Sequence, residues 1–95
     1  MQRASRLFRA LGDPARLRLA ARLAENESCV TALAAAEGEE LSTISQRLRV
    51  LRSENIVKGK RRGKHIDYVL ADRHISQLVT DALAHSTEEK EQDYE

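Results

Sequence analysis

Residues 39–55, EELSTISQRLRVLRSEN, run directly into residues 56–70, IVKGKRRGKHIDYVL, and the hydrophobic period changes between them. In the first segment Leu41, Ile44, Leu48 and Leu51 fall at i, i+3, i+7 and i+10. That spacing predicts a helix with one apolar stripe. In the second, Ile56–Lys58 and His65–Leu70 are β-rich runs around a basic turn containing Gly59 and Gly63. Ile66, Tyr68 and Leu70 alternate onto one face, which predicts a hairpin with a cationic tip.

Working outward, Ser5 to Gly12 reads as a short helix with Leu7, Phe8 and Leu11 on one side. In GDPARLRLAARLAENE, Asp13 suits a helix cap and Pro14 the first helical position. Leu17, Leu19, Ala20 and Leu23 supply its apolar positions. SCVTALAAAEG predicts an Ala-rich third helix stopping at Gly38. After the hairpin, Asp72 caps a last helix whose apolar side is Ile75, Leu78, Val79 and Ala82. The expectation is a single domain, 1–95, mainly α with a β-hairpin: a winged helix-turn-helix. Its recognition helix covers about 42–53, its wing about 56–70 and its last helix about 72–88, and an acidic tail, 89–95, frays.

Composition limits what such a chain can do. With 95 residues, 41% hydrophobic and only 3% aromatic, the core must be aliphatic and thin. Small domains of this kind gain stability by dimerising through their terminal helices. No signal peptide or membrane-length apolar run is evident, so a cytoplasmic protein is expected. The lone Cys29 excludes an internal disulfide or a multi-thiolate site within one chain. A net charge of +1 conceals asymmetry. Ser42–Lys64 holds eight cations against Glu54 alone, a net of +7, whereas Ala84–Glu95 carries −4.

A basic block beside an acidic tail predicts a polyanion partner for one region only. Opposite the apolar stripe of the 42–53 helix lie Ser42, Gln46 and Arg49, flanked by Thr43 and Ser45. These residue types match base edges: Gln suits adenine, Arg suits guanine, and Ser or Thr suits either. A helix-turn-helix places such a helix in the major groove of double-stranded DNA. Lys58, Lys60, Arg61, Arg62 and Lys64 would then meet phosphates or the minor groove. Glu39 and Glu40 depart from this pattern, because two acids stand where a Ser or Thr cap is expected.

The last helix carries two acid–histidine pairs, Asp72 with His74 and His85 with Glu88. His74 and His85 are 11 residues apart, about 16 Å along a helix axis, so no single ion bridges them. An antiparallel pairing of two copies brings Asp72 and His74 of one opposite His85 and Glu88 of the other. Two imidazoles and two carboxylates suit tetrahedral zinc, with cobalt or nickel also accommodated. Surface hydrogen bonding is the alternative reading of the same spacing.

From LFRALGDPARLRLAARL through STISQRLRVLRSENIVKGKRRGKHIDYVL to DRHISQLVTDALAH, the chain resembles the ArsR–SmtB family of metal-responsive repressors. The most specific element is D-x-H-x10-H-x2-E on the last helix, which falls on Asp72, His74, His85 and Glu88. The resemblance implies a homodimer that binds a palindromic operator when metal-free and leaves it on binding zinc. Spacing favours Glu88 over Glu89 as the fourth ligand. ESCVTALA resembles the segment that carries cysteine ligands in some relatives. Here Ala32 stands three after Cys29, and no Cys or His precedes it, so Cys29 reads as a buried small hydrophobe. His65, in the wing, suits a hydrogen bond or phosphate contact. A winged-helix regulator without metal response is the alternative function. An enzyme is not expected: four ligands leave no open position on a metal, and no Ser/His/Asp set or Gly-rich phosphate loop is present.

Overall fold

A computed structural model describes residues 1–88 of the chain. Helices α1 (Gln2–Leu11) and α2 (Pro14–Glu25) precede a two-residue strand β1 (Ser28–Cys29), then α3 (Val30–Glu37) and α4 (Leu41–Ser53). The hairpin β2 (Val57–Arg62) and β3 (His65–Leu70) follows, and α5 (Arg73–Ser86) closes the described part. The architecture is mainly helical with one antiparallel sheet in the order β1–β3–β2, a winged helix-turn-helix. Among the described residues, no helix is long and apolar enough to cross a membrane.

Local chemistry sets the helix boundaries. The Asp13 carboxylate accepts from the Arg16 backbone N–H at 3.0 Å, and Pro14 occupies the first turn where no donor is needed. The Arg16 guanidinium reaches back to the Ala10 and Arg9 carbonyls at 2.7 and 3.3 Å, closing the end of α1. Gly38 ends α3 in the left-handed conformation (φ 65°), which spares a side chain the usual clash. Asn55, also left-handed (φ 58°), stops α4, and the Ile56 N–H returns to the Leu51 carbonyl. Asp72 caps α5, its Oδ1 accepting from the Ile75 N–H at 3.0 Å.

The core is aliphatic, as composition requires. Leu19, Leu33, Ile44, Leu48, Leu51, Ile56, Val57 and Val79 are its fully buried side chains, drawn from α2, α3, α4, β2 and α5 with the turn before β2. Tyr68 only packs against it, and Phe8 remains 59% exposed. Glu37 clamps α3 to α2: its carboxylate accepts from Arg22 Nε at 2.6 Å and Arg18 Nε at 3.0 Å. Those two guanidinia, Arg22 foremost, hold the Glu37 carboxyl below its ordinary range against the opposing effect of burial. The clamp therefore contributes stability above the ordinary glutamate range and loses it as pH falls through the lowered value.

Several sequence expectations need correction. The first helix begins at Gln2 rather than Ser5. Ser28 and Cys29 form a strand against Tyr68 and Asp67 instead of opening the third helix. β2 extends to Arg62, so the reversal occupies Gly63 and Lys64 rather than Gly59 to Gly63. An ion pair across the hairpin, Arg62 Nε to Asp67 Oδ2 at 2.6 Å, prolongs the pairing through residues read as a tip. Leu41, at the head of the apolar stripe, is 52% exposed because it lies in the first turn, ahead of the packed surface. Cys29 is half-buried, not buried. The tail 89–95, with Glu89, lies outside the described residues.

Candidate functional site

The buried side of α4 consists of Ile44, Leu48 and Leu51, which leaves Ser42, Gln46 and Arg49 on its exposed ridge. Two clefts border that ridge. On the wing side, Ser45, Arg49 and Arg52 face Tyr68 of β3 across a cleft of about 230 Å³. On the opposite side, Thr43, Gln46 and Arg47 face Asp13, Ala15 and Arg16 at the start of α2 across about 350 Å³. Thr43 is half-buried there, while Ser45 is exposed. The two acids that precede the helix have separate fates. Glu39 Oε2 accepts from Arg47 Nη2 at 3.2 Å, and Glu40 is the N-cap without a side-chain hydrogen bond.

Strand register sorts the wing cations. Cross-strand partners in an antiparallel pair share a face, and neighbours along a strand alternate. Val57, Gly59 and Arg61 therefore share a face with Leu70, Tyr68 and Ile66, the side that meets α4 and the core. Gly59 is required there, because a Cβ would stand 2.8 Å from Ile66 Cγ2. Lys58, Lys60 and Arg62 project from the other face with Val69, Asp67 and His65. On that face Lys60 pairs with Glu27 at 3.3 Å and Arg62 pairs with Asp67. The Arg62 guanidinium holds the Asp67 carboxyl below its usual range, and Asp67 raises Arg62 in return. Lys64 sits in the reversal, and His65 is exposed beside Arg62 in register. Of the five wing cations, Arg61 alone lies on the strand face that meets α4.

The acid–histidine pairs stand at the two ends of α5. His74 Nδ1 is 3.8 Å from Asp72 Oδ1, the same oxygen that caps the helix. His85 Nδ1 is 3.5 Å from Glu88 Oε1, and the Glu88 N–H bonds the His85 carbonyl in a turn just past the helix end. All four side chains are more than half exposed. Among the described residues no three His, Cys, Asp or Glu side chains converge in one chain, so each pair offers two donors. Asp72 and His74 also line a cleft of about 400 Å³ with Arg3, Arg6, Glu54 and Asn55. That cleft joins one donor pair to the C-terminal end of α4, where Arg6 lies 3.5 Å from Glu54.

Arg47 and Arg52, which border the two clefts, stand outside the set of base-reading and wing residues expected from sequence. Their spacing from Thr43, Gln46 and Arg49 was the available signal. Cys29 and His65 lie on the back of the sheet, apart from both donor pairs in the chain.

Comparison with known proteins gives this surface a context. No protein-family model matches the chain. It is 44% identical over 87 residues to the transcriptional repressor SmtB homolog of Synechocystis sp., covering 92% of this chain and 66% of that protein. It is 45% identical over 79 residues to the HTH-type transcriptional regulator NmtR of Mycobacterium tuberculosis, covering 83% and 66% respectively. The chain thus spans just under two thirds of the length of these curated relatives. Among solved structures it is similar to the homodimeric winged helix-turn-helix DNA-binding domain of Mb0332 from Mycobacterium bovis, a possible ArsR-family transcriptional regulator. That match has a TM-score of 0.86 at 29% identity and covers 90% of this chain and 79% of the other. On sequence and on fold alike, the chain belongs to the ArsR–SmtB family of winged-helix transcriptional regulators.

Proposed function

We propose that the chain is a metal-responsive repressor: a symmetric dimer that holds operator DNA when metal-free and releases it on binding zinc, with cobalt or nickel as alternatives. The observation that carries this reading is the division of α5 into two exposed donor pairs, each within 4 Å and neither complete alone. Two antiparallel copies of α5 bring Asp72 and His74 of one to His85 and Glu88 of the other. The mixed nitrogen–oxygen donor set fits a tetrahedral zinc site. When bound, the metal supplies a fixed link between the two helices. His74 and His85 would supply the nitrogen donors, Asp72 and Glu88 the oxygen donors. Ser42, Thr43, Ser45, Gln46 and Arg49 read base edges, and the wing meets the DNA backbone. Repression by a curated relative at 44% identity supports the same direction of control. A repressor with these roles acts in the cytoplasm.

The decisive experiment is fluorescence anisotropy on a palindromic operator duplex, with and without one zinc per chain, for the native protein and His85→Ala. Loss of DNA affinity with zinc in the native chain, absent in the variant, is expected. Full zinc-driven release by His85→Ala would overturn the assignment. A second reading is a winged-helix regulator with no metal response, favoured by the exposure of all four donor side chains, which suits surface hydrogen bonding. It predicts identical affinity with and without zinc in both proteins.

A further inference from the structure

The cleft on the α2 side of α4 bears on DNA binding in a way that neither the wing nor the base-reading residues explain. A helix with its side chains is about 10–12 Å across, and the major groove is about 12 Å wide. A reading helix therefore fills the groove, and the two sugar-phosphate backbones that border it fall on the helix's two flanks. One flank of α4 faces the wing. The other opens on Asp13, Ala15 and Arg16, with Thr43, Gln46 and Arg47 as its α4 wall.

Arg47 is the cation placed to answer that second backbone. Its side chain is 22% exposed and linked by Nη2 to Glu39, while its Nη1 is buried and has no hydrogen-bond partner among the described residues. A guanidinium with an unpartnered buried N–H is incompletely satisfied, so a rearrangement that supplies more acceptors is favoured. Arg16, across the cleft, uses two of its five N–H groups on the carbonyls that end α1. The acids present do not block the site equally. Asp13 caps α2 through its contact with the Arg16 backbone, whereas among the described residues Glu39 is tied only to Arg47.

Resting on the DNA-reading function above, we propose that this cleft is a second phosphate seat, in which Arg47 exchanges Glu39 for the DNA backbone with Arg16 alongside. Glu39 then acts as a counter-charge that occupies Arg47 in the free protein and lowers affinity for any DNA. This accounts for an acid before a reading helix, where phosphates would otherwise exclude it.

The test uses a fluorescein-labelled, mixed-sequence duplex of about 30 base pairs, because phosphate contacts are independent of sequence. Affinity is measured from 50 to 200 mM salt for the native chain, Arg47→Ala, Arg47→Lys and Glu39→Gln, each checked by circular dichroism. Removing one phosphate contact should lower the salt slope by about one and weaken binding at 50 mM about tenfold. Arg47→Lys should keep the slope, and Glu39→Gln should raise affinity several-fold. An unchanged slope in a folded Arg47→Ala overturns the proposal. If Arg47→Ala fails to fold, Glu39→Gln decides: no gain in affinity overturns it equally. A native chain that does not bind the duplex refutes the DNA-reading function itself, an outcome distinct from either.

Discussion

In the proposed metal-responsive dimer, Asp72 carries two roles on one oxygen. Its Oδ1 caps α5 through the Ile75 N–H and lies nearest the His74 ring. The two roles separate by substitution, because a helix cap needs any short side-chain oxygen whereas the donor pair needs a carboxylate. Asp72→Ala should lose about 1 kcal/mol of stability with the cap, together with zinc-driven release. Asp72→Ser should keep the native thermal midpoint within a degree or two and still lose the zinc response. Thermal denaturation beside a zinc titration checks both. An Asp72→Ser variant with native zinc affinity would remove Asp72 from the donor set and leave it a cap alone. Glu37, also acidic and charged, differs in kind: both its oxygens face guanidinia of a neighbouring helix, so it is a clamp and not a donor.

Among the elements, the wing illustrates what alternation decides and what it does not. Five cations between Lys58 and Lys64 read in sequence as one basic patch, yet register sends Lys58, Lys60 and Arg62 to one face and Arg61 to the other. Arg61→Ala should therefore weaken DNA binding and lower the salt slope by about one. Arg62→Ala should leave the slope near native while destabilising the hairpin, since it strips the partner from the 7%-exposed Asp67. Anisotropy across a salt series, paired with thermal melts, separates the two. A larger slope change in Arg62→Ala than in Arg61→Ala would mean that the DNA lies against the back of the sheet. The helices were legible because their apolar residues repeat over several turns and Asp13, Pro14, Gly38 and Asp72 mark their ends. The strand at Ser28 and Cys29 was not, because two residues show no period and its partners lie about 40 positions away. The hairpin's true reversal was hidden as well. Gly59 looks like a turn residue, but it lies mid-strand to admit the Ile66 side chain. The acid–histidine proximities on α5 were visible from spacing, whereas the Glu39–Arg47 contact depended on how the chain enters α4.

At the scale of the whole molecule, the exposed apolar surface and the incomplete donor sets point to the same requirement. Phe8, Leu17, Leu78 and Ala82, over the buried Leu11 and Val79, line an apolar cleft of about 200 Å³ among α1, α2 and α5. In the proposed dimer a second copy covers this surface and completes the two metal sites. Zinc and dimerisation are then linked, because a ligand that binds only the dimer favours it. With free zinc at a hundred times its dissociation constant, each site adds about 2.7 kcal/mol. Two sites per dimer therefore tighten dimerisation by about four orders of magnitude. Sedimentation of the native chain across a dilution series, with and without zinc, should show that shift. Phe8→Glu, which sets a charge on an exposed position remote in sequence from the four donors, should sediment as a monomer without zinc and bind the metal more weakly. Operator DNA must in turn weaken zinc binding by the factor through which zinc weakens DNA binding. A dimerisation constant that zinc leaves unchanged, or a monomeric Phe8→Glu that binds zinc as tightly as native, would rule out a metal site shared across the two-fold. In that case metal could not act by fixing the two reading heads, and release from DNA would have to arise inside each subunit.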